Sequence, residues 1–432
     1  GGGITYQPDV VLVGGGPGAV RSVSGDSLTW TIDSSAARVS ELKPGKVMFL
    51  TGRAVGRVLQ VKRHGSVIDV TLGPVDLTDV IADGNLDVRA PLDVSAMTIQ
   101  TYPGVPGLAG TPTTSTRGRV VPAWALTRPL PEPPPMDQEP LPPPKRGASA
   151  EVTIGDFSAE LGHTASVEED ELSLKVGYTK AGVTVGLEFT VKLASPTVEA
   201  HLGFHGGTLG KQELAIYGLK ELFVGVESGS ETGLAGNIKQ RIEVPAEMNF
   251  PIPGGPVPLV GSFRFKFIVE TAFSARNATL GTHARLLLDG PIGFKGGTLL
   301  VPTVQQALSP VDQLAGVSVG VNGVVLALQA KVVLGLGVPA ALAGPFAAVT
   351  VAYGLTNGSA IGIVQCRQTS SDVVLAGGVG FTLAPQELLY LKEFAKRIEL
   401  PWAPKLDSEV ASKTTSVMHV KDYQPKVAVC RP

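Results

Sequence analysis

The sequence predicts an all-β protein: a small N-terminal β domain, a Pro-rich linker, and a large antiparallel β-sandwich or barrel-like domain with one C-terminal amphipathic helix. Alternation is the first reason, since Phe263, Phe265 and Phe267 occupy one face of a strand whose other face is mostly charged. Composition is the second. Hydrophobic residues make up 43% and charged residues 17%, with 53 Gly and 34 Pro, which favours short strands and turns over helices.

Length indicates more than one domain, because 432 residues exceed what a single core usually supports. Changes in composition place the boundaries. We predict a small β domain over residues 1–100, a Pro-rich linker over 101–149, a large antiparallel β domain over 150–400 and a C-terminal tail over 401–432.

The N-terminal domain is predicted from short apolar runs separated by turn residues. Residues 57–62 and 66–72 form a hairpin through Arg63-His64-Gly65, where Gly can adopt a positive φ. Residues 76–81 are predicted to form a single helical turn. The linker follows, and its proline runs at 131–135 and 142–144 favour polyproline II, so it is either a spacer or a ligand for a peptide-recognition domain.

The large domain is predicted from longer alternation. Residues 172–178 should pair with residues 183–193 through Lys180-Ala181-Gly182. The run 332–366 has no charged residue, but glycines and prolines interrupt any membrane-spanning helix, so two buried strands are predicted and membrane spanning is disfavoured. Residues 385–400 have the periodicity of an amphipathic helix, with Pro385 in its first turn.

Charge and cysteine content constrain partners and compartment. Lys and Arg total 36 against 38 acidic residues, and no basic stripe occurs, so nucleic acid is not an expected partner. Cys366 and Cys430 are predicted to form a disulfide, with two buried thiols as the alternative. The disulfide, and a start without Met, lead us to expect an extracellular or cell-surface protein whose signal peptide has been removed.

Two short segments resemble catalytic or cofactor motifs. Residues 9–19 resemble the dinucleotide fingerprint of flavoproteins, with Gly14, Gly16 and Ala19 in its key positions, but no helical face follows, so no cofactor is predicted. Gly25-Asp26-Ser27-Leu28 resembles the nucleophile block of GDSL-type esterases, which implies a hydrolase that uses Ser27. That family's Asp-x-x-His is absent from this sequence.

The sequence also contains residues typical of metal binding and of N-glycosylation. His201 and His205, with Glu199, would share a metal on a helix, but residues 197–204 are predicted to form a strand, where that spacing is about 13 Å. No metal site is therefore predicted. Asn277-Ala278-Thr279 and Asn357-Gly358-Ser359 match the N-glycosylation sequon.

These observations favour a secreted or cell-surface structural or binding protein without catalytic activity, which acts through a protein partner or self-assembly. The alternative is a carrier of an apolar small molecule or lipid in the large β domain. Its predicted lining residues are Phe263, Phe265, Phe267, Leu326 and Leu328. A hydrolase that uses Ser27 is the second alternative.

Overall fold

The computed structural model describes residues 3–24, 28–50, 54–101, 113–117, 146–166, 169–252, 259–316, 321–338, 341–359, 365–383 and 409–431. The predicted all-β class is confirmed: antiparallel sheets dominate. The amphipathic helix predicted over 385–400 and most of the Pro-rich linker lie outside the described residues. Within these ranges, every helix falls short of the length and apolarity that crossing a membrane requires.

The elements alternate between long strands and short turns. In chain order the strands are β1 (Thr5–Tyr6), β2 (Val10–Val13), β3 (Val20–Val23), β4 (Thr29–Asp33), β5 (Val47–Leu50), β6 (Ala54–His64), β7 (Val67–Gly73), β8 (Ile81–Pro91), β9 (Thr98–Thr101), β10 (Thr113–Arg117), β11 (Arg146–Ile154), β12 (Phe157–Ala165), β13 (Asp170–Lys180), β14 (Val183–His205), β15 (Thr208–Ser230), β16 (Lys239–Ile252), β17 (Leu259–Phe273), β18 (Ala278–Asp289), β19 (Ile292–Lys295), β20 (Thr298–Leu300), β21 (Thr303–Leu308), β22 (Asn322–Val338), β23 (Ala341–Ser359), β24 (Gln365–Leu383) and β25 (Glu409–Gln424). The α-helices are α1 (Leu77–Val80) and α2 (Pro310–Gln313), and short 3₁₀ turns occur at Gly16–Ala19, Val39–Glu41, Val94–Ala96, Gly233–Gly236 and Ala428–Cys430.

A six-stranded sheet forms the N-terminal part, in the order β2-β5-β6-β7-β4-β3. The predicted hairpin is present as β6–β7, where His64 pairs with Val67 and Gly65 has a φ of 55°. The predicted helical turn is α1. All four residues of β5 are buried because Met48 and Leu50 pack into a core of this sheet, while Val47 and Phe49 join the main core of the molecule.

The two larger sheets contain twelve and seven strands. In the first, the main path runs β10-β11-β12-β13-β14-β15-β18-β21, and in the second β25-β24-β23-β22-β17-β16-β9. The predicted β13–β14 hairpin is confirmed, with Ala181 and Gly182 at positive φ in its turn. Of the uncharged run predicted to form two buried strands, residues 332–338 lie in β22 and residues 341–359 in β23, and these strands pair antiparallel.

The strands β8 and β9 join the N-terminal region to the large sheets. β8 pairs with β14 in the twelve-stranded sheet, and β9 pairs with β16 in the seven-stranded sheet. The backbone of residues 81–101 is therefore hydrogen-bonded to both large sheets rather than to the six-stranded one. The division of the chain into the four predicted segments stays a prediction.

Strand alternation explains where the main core lies. Odd residues of β17 point inward, so that Phe265, Phe267 and Phe273 are buried in the same core as Phe157 and Leu174 of the twelve-stranded sheet. The core is continuous across both large sheets and includes Val47 and Phe49 from the N-terminal part.

Candidate functional site

A small apolar cavity lies between the two large sheets. Its volume is about 60 Å³. One wall comes from β17, β22 and β23, and the other mainly from β13, β14 and β15. The lining residues are Leu92, Leu172, Ser173, Phe189, Val191, Leu193, Pro196, Ile216, Leu219, Leu222, Phe263, Phe265, Ile292, Ala330, Val332, Ala347 and Val349.

The cavity occurs where two alanines share the inner face of the seven-stranded sheet with the phenylalanines of β17. Phe265 pairs with Ala330, and Phe263 pairs with Val332, which in turn pairs with Ala347. An alanine on a strand face fills less of the inter-sheet space than the Val or Leu residues around it, so a gap remains beside both rings. The sequence signal for this gap is Ala330 within the bulky alternating run of Leu326, Leu328, Val332 and Leu334, together with Ala347 on the neighbouring strand.

The structure separates the five predicted lining residues into two groups. Phe263 and Phe265 line the cavity. Phe267, Leu326 and Leu328 lie farther along the same strands and are at most 2% exposed. Phe267 pairs directly with Leu328, so these side chains fill the core beside the cavity. Whether any ligand binds there stays a prediction.

The size of the cavity restricts what can bind. Ligand sites for drug-sized molecules span roughly 300–1,000 Å³, and a dry apolar cavity of about 150 Å³ accommodates benzene. At about 60 Å³, this space is too small for a lipid chain unless the sheets move apart.

The predicted strand over residues 197–204 is confirmed as part of β14. The imidazole of His201, on this strand, lies between two carboxylates. Its Nδ1 lies 2.8 Å from Asp87 Oδ1 on β8, and its Nε2 lies 3.1 Å from Glu199 Oε1. These hydrogen bonds raise the pKa of His201, Asp87 contributing most, and His201 in turn lowers the pKa of Glu199.

His205 is part of a separate contact. Its Nδ1 lies 3.4 Å from Asp83 Oδ1. Both ring nitrogens of His201 are already engaged with different carboxylates, on opposite sides of the ring. In the described part of the chain, no group of three or more His, Cys, Asp or Glu side chains is arranged to hold a metal ion.

The glycines of the dinucleotide-like segment serve local packing. Strand β2 is followed by the single 3₁₀ turn Gly16–Ala19 and then directly by β3. A pyrophosphate site of this kind needs the N-terminus of an α-helix at that point. A Cβ atom at Gly14 would come within 2.9 Å of the Ala37 Cβ, which explains why glycine is needed there. Ser27, the residue implied by the esterase resemblance, lies outside the described residues.

The predicted disulfide is confirmed between Cys366 and Cys430. Cys366 is near the start of β24, and Cys430 is completely buried in the 3₁₀ turn that follows β25. The Gln368 Nε2 donates a hydrogen bond of 2.8 Å to the Cys430 carbonyl. The covalent bond and this hydrogen bond hold the C-terminal segment against β24.

Sequence reasoning missed a buried polar cluster on the opposite face of β16 and β17. Arg264 Nε lies 2.6 Å from Glu247 Oε2, and the two side chains are 14% and 1% exposed. Asn249 donates to the other Glu247 oxygen at 3.0 Å, and Ser262 is fully buried. The only sequence signal was an Arg within an alternating strand, which is equally typical of an exposed face.

Comparison with known proteins gives family matches without a described function. Residues 1–83 match the family model described as Domain of unknown function (DUF8403). Residues 138–401 match the model described as Domain of unknown function (DUF8402). No curated protein and no solved structure matches the chain. Because the second match covers more than half of the 432 residues, the chain belongs to the family described as Domain of unknown function (DUF8402).

Proposed function

We propose that this chain is a secreted or cell-surface structural or binding protein that acts through its surfaces, by self-assembly or by holding a protein partner, without catalysis. The observation that carries the proposal is the small size of the cavity between the two large sheets, which is only about 60 Å³. Among the described residues this cavity offers little room for a ligand, so we propose that the outer faces and strand edges serve for recognition.

The disulfide supports the location that we propose. Cys366 and Cys430 pair across 64 residues, and structural disulfides persist mainly in oxidising compartments such as the extracellular space. The near-balanced charge supports protein rather than nucleic-acid partners.

We extend the proposal to the architecture. The core shared by the twelve- and seven-stranded sheets supports a sandwich rather than a barrel-like domain. The proposed Pro-rich segment over 101–149 starts at the end of β9 and leads into β11, so along the chain it joins strands of the two large sheets.

Native mass spectrometry, combined with light scattering over a range of protein concentrations, tests the proposal. A ligand-free oligomer, or a stable complex with a purified surface protein from the source cell, supports it. A chain that stays monomeric at every concentration, forms no such complex and turns over a substrate contradicts it.

The apolar carrier is a second candidate because Phe263 and Phe265 do line an apolar cavity. Its test is organic extraction of the purified protein followed by mass analysis of the extract. Ala347→Leu fills the cavity and should remove any bound apolar mass. Ala352→Leu is the matched control because Ala352 lies on the same strand and faces away from the cavity. An extract with no apolar mass contradicts the carrier.

The hydrolase alternative is tested separately. Ester turnover by the purified chain that disappears in Ser27→Ala would support it. Turnover that is unchanged in the variant, or absent from both proteins, contradicts it.

A further inference from the structure

We infer that Asn277 is an N-glycan acceptor and that the second sequon, at Asn357, is closed by the fold. The inference rests on the export that is part of the proposed function. It concerns a covalent modification, and it is independent of whether the chain assembles or binds a partner.

Asn277 lies in the turn between β17 and β18, where the chain crosses from the seven-stranded to the twelve-stranded sheet. The residue is exposed and has a φ of 53°, in the left-handed region that Asn tolerates better than most residues. Its side chain makes no hydrogen bond within the described part of the molecule. The amide that would accept the sugar is therefore accessible.

The backbone of this turn is fixed without help from Asn277. The Asn322 side chain accepts a hydrogen bond of 3.0 Å from the Ser274 backbone N–H, and the Asn237 side chain accepts one of 2.7 Å from Phe273. Gly233 also packs so closely against Ala275 that a Cβ there would lie 3.0 Å from the Ala275 carbonyl carbon. A bulky substituent on Asn277 should leave these contacts intact.

Two glycines lie beside the third residue of the sequon. Thr279, the third residue of the sequon, is exposed on β18 and pairs with Gly229 on β15. A Cβ added at Gly229 would find nothing closer than 3.6 Å. Gly281 lies two residues farther along the same face of β18. Gly229 and Gly281 therefore place no side chain of their own beside Thr279 on this face.

Asn357 has the opposite environment. It lies within β23, paired with Asn322 on one side and Arg367 on the other, and it is only 1% exposed. Its Oδ1 accepts a hydrogen bond of 3.0 Å from Gln365 Nε2. A glycan attached there would have to displace the neighbouring strands, so chains that fold carry none at this position.

The chemistry is a group transfer from a lipid-pyrophosphate-linked oligosaccharide, catalysed by the membrane transferase of a secretory pathway. A bond forms between Asn277 Nδ2 and the anomeric carbon of the first sugar. The bond between that carbon and the pyrophosphate oxygen breaks, the lipid pyrophosphate leaves with the electron pair, and the amide nitrogen loses one proton. No oxidation or reduction takes place.

The test is secretion of the full chain from eukaryotic cells behind a cleavable signal peptide, followed by intact-mass analysis and peptide mapping after glycan removal by an amidase. That enzyme converts a glycosylated Asn to Asp and so marks the site. We expect a single glycan per chain, lost completely in Asn277→Gln and in Thr279→Ala. Ser359→Ala, which destroys only the second sequon, should keep the glycan.

Secreted wild-type chain without a glycan, or with one that persists in Asn277→Gln, overturns the assignment. A glycan on Asn357 of folded, secreted chain overturns it as well. Because the added signal peptide delivers the chain to the pathway, these outcomes do not depend on natural export. Light scattering on the same secreted sample tests self-assembly, so failure of the glycan assignment and failure of the proposed function give different results.

Discussion

Strands β16 and β17 carry three ion pairs along one face, and the pairs at the two ends differ sharply in exposure. At one end, Lys239 Nζ lies 2.8 Å from Glu270 Oε2, with the side chains 78% and 50% exposed. At the other, Arg264 and Glu247 are 2.6 Å apart and almost completely buried. The Lys266–Glu243 pair lies between them, at 2.9 Å. The same strands and the same alternation thus produce both a surface pair and a core pair.

The strand pairing changes between the two ends of this face. Between Glu243 and Glu247, β16 has a bulge over residues 244–246 opposite Phe265 of β17. From the last residue of the bulge onward, β9 pairs with residues 246–249 of β16, so this part of β16 has neighbours on both sides. Burial increases the energetic weight of a charge because desolvation must be compensated by its partner. The two ends should therefore respond very differently to mutation.

The largest expected effect is at the buried end. Glu247→Ala removes the carboxylate that faces the Arg264 guanidinium, and breaking a buried pair of this kind costs about 3–5 kcal/mol of unfolding free energy. Chemical denaturation of the variant measures the loss.

The control for this prediction replaces both partners. Glu247→Met combined with Arg264→Met leaves no buried charge, so it should recover most of the stability that the single variant loses. A loss below about 1 kcal/mol in Glu247→Ala would mean that the pair behaves as an exposed one.

A second prediction contrasts this pair with a half-buried carboxylate, Asp76. Burial, with the nearby negative charge of Asp79, raises the pKa of Asp76 from 3.8 to about 6. Since the folded-state pKa is raised, ionisation destabilises the fold, and stability due to this group falls as pH rises from about 4 through 6. Asp76→Asn should be more stable than wild type by about 1 kcal/mol at pH 8, a value that allows for partial solvent exposure.

Denaturation at a series of pH values checks the sign. The advantage of Asp76→Asn should disappear below about pH 4, where Asp76 is protonated in both the folded and the unfolded chain. Asn retains the ability to cap α1, so loss of the cap does not confuse the result. An advantage that grows toward low pH would show that the sign is wrong.

A third prediction concerns the middle pair. The Lys266 side chain is 24% exposed and that of Glu243 is 49% exposed, so water screens the charges only in part. Lys266→Met keeps most of the aliphatic stem and removes the charge, which should cost about 0.5–1 kcal/mol. Lys266→Ala should cost more unfolding free energy because it also removes the aliphatic stem. Equal losses in the two variants would show that the Lys266 stem does not contribute packing.

The features of the fold that the sequence predicts are those that depend on residues close together along the chain. Alternation is local, so β17, its inward Phe265 and Phe267, and the β13–β14 hairpin followed directly from the sequence. The burial of Arg264 did not, because it depends on which parts of the folded chain pack over that face. Strand periodicity specifies which residues share a face but not whether that face meets solvent.

The same limit applies to the candidate sites. Phe263 was predicted to line an apolar space, but where the space occurs depends on Ala330 and Ala347 in other strands. The two sequons look alike as sequences. Only the environment of Asn357 within β23, compared with the exposed turn at Asn277, distinguishes them.

The smallest expected effect is at the exposed end. Glu270→Gln removes one charge of the Lys239–Glu270 pair, where both side chains are at least half exposed, and it should cost about 0–0.5 kcal/mol at low ionic strength. Added salt screens such a pair, so the difference from wild type should vanish near 1 M NaCl, while the loss in Glu247→Ala should persist because salt does not reach the buried pair. Denaturation of the two variants at low and high salt measures both. If the losses in Glu270→Gln and Glu247→Ala respond equally to salt, burial does not distinguish the two ends of this face.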